Sequence, residues 1–167
     1  MALIRKKLRE ALFFYCHLSH GKTVVEPERE DVEFFLSAFL SAGKSIIGFF
    51  YEKQNRAWFD SWKIGLVEDD RKLVRDMVHQ RNLEVHEGGA DVIPEFEVEP
   101  VNSHDTGPGY EKAGSATLPV QALPVRRKGY CFWIDGRRLD LNSISGRYVE
   151  LLLKLVGDYE ERLTISD

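Results

Sequence analysis

The sequence predicts a mainly α fold: a helical bundle of four to five helices with a small β-hairpin insertion before the last helix. Three observations carry this. Apolar residues recur at helical spacing from Leu3 to about Glu84, and again from Tyr148 to Tyr159. Five of the prolines (Pro94, Pro100, Pro108, Pro119 and Pro124) then fall in one span, where helix cannot continue. Between that span and the final helical pattern, two β-prone runs flank Asp135-Gly136, a pair suited to a tight hairpin turn.

The first helix is expected from Leu3 to Leu18. Ile4, Leu8, Ala11, Leu12, Tyr15 and Leu18 form its stripe, and Gly21 offers a stop. The second starts near Pro27, with Glu28, Glu30 and Asp31 complementing its dipole, and runs to about Asn55. It is apolar around much of its surface, which places it centrally. A third stretch opens with Trp58, Phe59 and Trp62 and breaks near Gly65. Helix resumes through the acidic turn Glu68-Asp69-Asp70 to about Glu84.

Beyond Gly88-Gly89 the pattern changes. Glu95-Phe96-Glu97-Val98-Glu99 alternates at period two, as a half-buried strand does. Asn102 to Ala116 reads as loop. Gly129 to Ile134 and Arg137 to Leu141 are the hairpin strands. The last helix begins after Asn142 or Ser143, with a stripe of Tyr148, Leu151, Leu152, Leu155 and Tyr159. The chain is read as one domain, 1–167, with a β/loop insertion at 90–141.

Composition limits the function classes. The 167 residues are 43% hydrophobic and 30% charged, enough for a sizeable core. A formal net charge of −4 excludes coating nucleic acid by bulk charge but not a local basic site. Cys16 and Cys131 match no metal or redox spacing, so a reduced, cytoplasmic setting is expected. The basic start and its short apolar run, Ala11 to Cys16, read as an amphipathic helix rather than a leader. Lys44 and Lys53 interrupt the best run of the roughly 18 apolar residues that a membrane span needs, so no membrane partner is expected. No cofactor and no metal are expected either.

Two near-matches need separating from function. Ala38 to Ser45 approaches a phosphate-binding loop, with Ala38 where the first glycine belongs. Such a loop works between a strand and a helix, and here an acidic helix precedes it, so a core helix is the preferred reading. His17 and His20 lie three apart beside Cys16, but a metal site needs further ligands at matched geometry.

The stretch Arg81-Asn82-Leu83-Glu84-Val85-His86-Glu87-Gly88-Gly89 has more to offer. At about 100° per residue, Arg81 falls among Val74, Met77, Val78 and Val85, where a permanent charge is costly unless paired or at a wet interface. Arg75, His79, Asn82 and His86 share a different, polar face, and the Asn82 amide stands one turn from His86. Arg81 and His86 are about 140° apart on a straight helix. They converge only if the helix ends or bends near Val85, or if a second copy supplies one of them. On spacing alone a structural role is the stronger reading. The Arg on the apolar face, the adjacent amide and the glycine pair raise the functional one.

Arg81-Asn82-x-x-x-His86 resembles the R-x4–6-H motif of the HEPN superfamily, whose helical bundles cover most of this pattern. The resemblance implies a homodimer with the motif residues of two protomers lining a shared cleft. It implies a metal-independent endoribonuclease acting on RNA, with an antitoxin or a nucleotidyltransferase-type protein as a further partner. Arg81 would hold the phosphate and stabilise developing charge, His86 would move protons near neutral pH, and Asn82 would orient the imidazole or touch a phosphate oxygen. The alternatives are a catalytically inert HEPN-like module that binds RNA or a nucleotide, and a structural protein in which Arg81 pairs with a carboxylate.

Arg126-Arg127-Lys128 and Arg137-Arg138 flank Tyr130, Phe132 and Trp133, a mixture that suits single-stranded nucleic acid. Packing of the hairpin on the bundle, with solvated cations at its edges, is the preferred reading.

Overall fold

A computed structural model describes residues 1–19, 29–87, 92–98, 125–134 and 137–165. Gly21, Pro27, His20, the glycine pair at 88 and 89, the 102–116 loop and the Asp135-Gly136 turn lie outside them. Within them the chain is a helical bundle of five helices with a small antiparallel sheet before the last.

Helix α1 (Ala2–Ser19) buries Ile4, Ala11 and Leu18, and packs Leu8, Leu12 and Tyr15 against the core. That is the stripe its spacing predicts. Helix α2 (Arg29–Tyr51) packs against α1 and also meets helices α3 (Lys53–Ile64) and α4 (Glu68–Glu87). Its inner residues, among them Leu36, Phe39, Ile46 and Phe50, are fully buried.

By length and composition alone α2 is long and apolar enough to cross a membrane, contrary to the expectation from the lysines. Lys44 is a lone interruption and Lys53 lies beyond the helix end. The bundle uses that apolar character internally: 44% of its most apolar window is buried.

The helix expected to reach Asn55 stops at Tyr51. Glu52 is extended (φ −60°, ψ 145°), and α3 starts after it. Asn55 explains the break. Its side-chain amide donates to the Phe49 carbonyl at 3.2 Å, adding to the 3.3 Å bond that the same oxygen accepts from the Glu52 backbone N–H at the end of α2. Its own oxygen accepts from the Tyr159 hydroxyl at 2.6 Å inside the core. Around that pair, the Phe50 ring lies 5.1 Å from Tyr159 and 5.6 Å from both Trp58 and Phe59, at aromatic contact distances.

Helix α3 ends at Gly65, as its break predicts. The Arg71 guanidinium closes that end, donating to the Lys63 carbonyl at 3.2 Å and the Leu66 carbonyl at 3.0 Å. This fixes the α3–α4 turn.

Strands β1 (Val92–Val98), β2 (Val125–Ile134) and β3 (Arg137–Asp140) form one antiparallel sheet in the order β1-β2-β3. The hairpin register sets Ile134 opposite Arg137. The strand expected over Glu95–Glu99 begins three residues earlier and contains Pro94, which β1 tolerates at the sheet edge.

Helix α5 (Leu141–Ile165) starts slightly earlier than its pattern predicts. Asp140 caps it, its carboxylate accepting from the Ser143 backbone N–H at 2.7 Å. Arg147 on α5 then grips the Asp70 carboxylate with two bonds, at 2.9 and 2.8 Å, joining α5 to α4.

Candidate functional site

The candidate site begins on α4, where Val74 and Met77 are buried and form its inner face. Arg81 stands one turn past Met77 and is half-buried, which is the position on the apolar side that the sequence predicts. A guanidinium there needs a polar neighbour. Ser41 of α2 supplies one: Arg81 Nε donates to Ser41 Oγ at 2.5 Å.

The next residue repeats the arrangement. Asn82 is half-buried, and its Oδ1 accepts from Lys44 Nζ at 2.5 Å. Ser41 and Lys44 are three apart on α2, so they share a helix face. Arg81 and Asn82 therefore both bond to that face, and a second cation is held beside the guanidinium. Such a pair of cations, with an amide between helices, suits binding of a phosphate.

Arg75 and His79 are exposed on α4, consistent with the polar stripe. The backbone of His86 belongs to the same helix as Arg81, because α4 runs on to Glu87. The side chain of His86 is outside the described residues. The helix does not end between the two positions, which on a regular helix stand about 140° apart. An end of the helix short of His86 therefore does not bring the two together, and a bend near Val85 or a second copy of the chain are the routes that stand.

Ser41 and Lys44 were missed as site residues from sequence. They sit inside the Ala38–Ser45 near-match, which the structure places wholly within α2. The glycine there serves packing. A Cβ on Gly43 would come within 2.7 Å of the Tyr148 ring, so α5 approaches α2 closely at this point. Burial also holds the Tyr148 hydroxyl above the ordinary tyrosine range. The usable signal was Lys44, the one charge in α2 after its charged first turns, from Phe34 to Tyr51.

His17 is committed to aromatic packing: its ring stacks on Phe35 at 4.6 Å and meets Phe13 edge-on at 4.6 Å. On the sheet, Tyr130 and Cys131 are buried, so the packing reading holds for Tyr130. Arg138 Nε lies 2.8 Å from Cys131 Sγ. Neither Cys16 nor Cys131 is in a disulfide.

The chain matches no protein-family model, no curated protein and no solved structure.

Proposed function

We propose that this chain is a homodimeric, metal-independent endoribonuclease of HEPN type, acting in the cytoplasm, with Arg81 and His86 contributed by different protomers to one cleft. The observation that supports this best is the anchoring of Arg81. It lies half-buried on the apolar side of α4, tied to Ser41, with Asn82 and Lys44 beside it.

The chemistry follows from the residue types. The 2′-hydroxyl of the RNA gives its proton to an imidazole, and its oxygen attacks the adjacent phosphorus. The P–O5′ bond breaks, and the leaving oxygen takes up a proton. The products are a 2′,3′-cyclic phosphate and a 5′-hydroxyl. His86 is the proton carrier, since imidazole exchanges protons near neutral pH. Arg81 binds the phosphate and stabilises the charge that gathers on its oxygens. Lys44 adds a second positive charge within reach of the same oxygens, and Asn82 fixes that lysine.

The test is cleavage of single-stranded RNA in excess chelator by the wild type, Arg81→Ala and His86→Ala. Loss of cleavage in both variants, with melting curves unchanged, supports the proposal. Equal cleavage by all three removes the site. Binding by the wild type without turnover supports the inert binding module instead.

A further inference from the structure

Four aromatic rings line up on the surface where α1 meets α2. Phe13 meets His17 at 4.6 Å, His17 stacks on Phe35 at 4.6 Å, and Phe35 meets Phe34 at 5.6 Å. The two ends of this row stand open to solvent: Phe13 is 57% exposed and Phe34 64%. Exposed aromatics in contact with one another form an apolar patch of the kind that marks an interaction surface.

The charges around the row are sorted by sign. Because His17 meets Phe35 and Tyr15 meets Phe39, α1 and α2 run antiparallel. On α1, Arg9 and Lys6 stand one and two turns before Phe13 on its side of the helix, about 6 and 10 Å away along the axis. On α2, Asp31 and Glu30 stand one turn before Phe34, which is the opposite end of the row. All four are exposed. None of them pairs with a charge among the described residues, whereas Lys7 pairs with Glu10 and Arg29 with Glu33. Along one line the surface therefore runs from cations through rings to anions.

Such a strip is complementary to itself. A second copy turned end for end sets Lys6 and Arg9 against the partner's Glu30 and the partner's Asp31, and the rings of both copies meet between them. A two-fold axis then repeats every contact. Nucleic acid suits the strip less well, because Glu30 and Asp31 repel its phosphates.

The strip also borders the candidate site. Phe34 and Ser41 lie seven apart, on one face of α2 and about 10 Å along it. Helix α4 runs antiparallel to α2, since Arg81 bonds to Ser41 while Val74 and Val78 line one cleft with Tyr51. Past Arg81 the α4 backbone therefore travels toward the level of Phe34, and His86 stands about 7.5 Å further along.

We propose that this strip is the face through which two copies of the chain associate, with Phe13 and Phe34 as apolar anchors and the four charges setting the register. The proposal rests on the homodimeric reading above and deepens it, because the ends of α4 from both copies then lie at the rim of the contact, where a shared cleft has to form.

The test is sedimentation equilibrium of the full chain. Phe34→Ala is expected to weaken the dimer about tenfold or more, as loss of an interface anchor does. The charges are tested by reversal. Lys6→Glu with Arg9→Glu makes both ends of the strip negative, and Glu30→Lys with Asp31→Lys makes both positive. Each double variant alone is expected to dimerise about tenfold more weakly, by juxtaposing like charges. Mixed in equal amounts, the two are expected to form a heterodimer as tight as the wild type, because each end again meets its opposite. Damaged folding would not be reversed by mixing, and circular dichroism melting checks the fold of every variant.

A wild type that stays monomeric at the highest concentration measured overturns the proposal. So does a dimer indifferent to Phe34→Ala and to both reversals, or a pair of reversed variants that mixing does not restore. The underlying reading fails separately: a dimer that follows these rules but leaves RNA uncut removes the nuclease and keeps the interface. RNA cleavage by variants that remain fully dimeric removes the interface and keeps the nuclease.

Discussion

Arg81 Nε donates to Ser41 Oγ at 2.5 Å, tying the guanidinium of α4 to the middle of α2. Fixing Nε fixes the plane of the whole group, and a planar fork binds phosphate best when its orientation is set beforehand. Ser41 therefore acts as a positioning residue in the proposed reaction. Ser41→Ala is expected to lower kcat/KM for RNA about tenfold, the lower range for a lost hydrogen bond to a charged group. Ser41→Thr is expected to restore most of it. Steady-state cleavage assays check both, and a Ser41→Ala enzyme as fast as wild type would remove the positioning role.

Gly43 is required by the approach of α5. Replacing it with alanine places a methyl group within 2.7 Å of a Tyr148 ring carbon and 2.8 Å of its hydroxyl. Gly43→Ala is expected to lose about 1–3 kcal/mol, the usual cost of overpacking a tight core. Adding Tyr148→Phe relieves only the hydroxyl contact, so the pair should recover part of the loss. Urea unfolding of the single and double variants measures the coupling.

Asn55 links three helices through two bonds, one to the Phe49 carbonyl and one from the Tyr159 hydroxyl. It is 3% exposed, so water cannot replace a lost partner. Asn55→Leu is expected to destabilise by about 1–3 kcal/mol, the cost of leaving a buried polar group unsatisfied. Tyr159→Phe should cost less, because the amide keeps its bond to Phe49. Thermal melting orders the two variants.

The first and last helices meet through Arg5 and Glu160, 2.6 Å apart. The hydrogen bond from Arg5 holds the Glu160 carboxyl below its ordinary range. A carboxylate depressed in the folded state stabilises above its unfolded value and loses that contribution as pH falls through the folded one. The stability difference between wild type and Arg5→Ala should thus be constant near neutrality and shrink below about pH 4.5, the ordinary glutamate value. The effect is small and salt-sensitive, because Arg5 is 64% exposed. Unfolding midpoints across pH at low and high salt test it.

Most of the fold was legible because its helices are amphipathic and its breaks carry local signals. Gly65, the acidic turn at Glu68 and the β-prone runs around the hairpin each marked an element boundary by their own chemistry. The end of α2 was not legible. Asn55 stops it through bonds to Phe49 and Tyr159, the latter far away in sequence. The site divides in the same way. The position of Arg81 on the apolar side of α4 followed from the 100° rotation per residue. Ser41 and Lys44 did not, since nothing in either helix states which turn of α2 faces which turn of α4. The β1–β2 pairing was hidden as well, because the two strands meet across a long intervening segment.

Mixing two inactive variants tests the shared cleft most directly. Arg81→Ala retains His86, and His86→Ala retains Arg81. Refolded together in equal amounts, half of the dimers are mixed, and each mixed dimer holds one intact composite site of two. Cleavage should therefore return to about a quarter of the wild-type rate while each variant alone stays inactive, as a two-fold shared site requires. A mixture as inactive as its components would contradict a site built from two protomers.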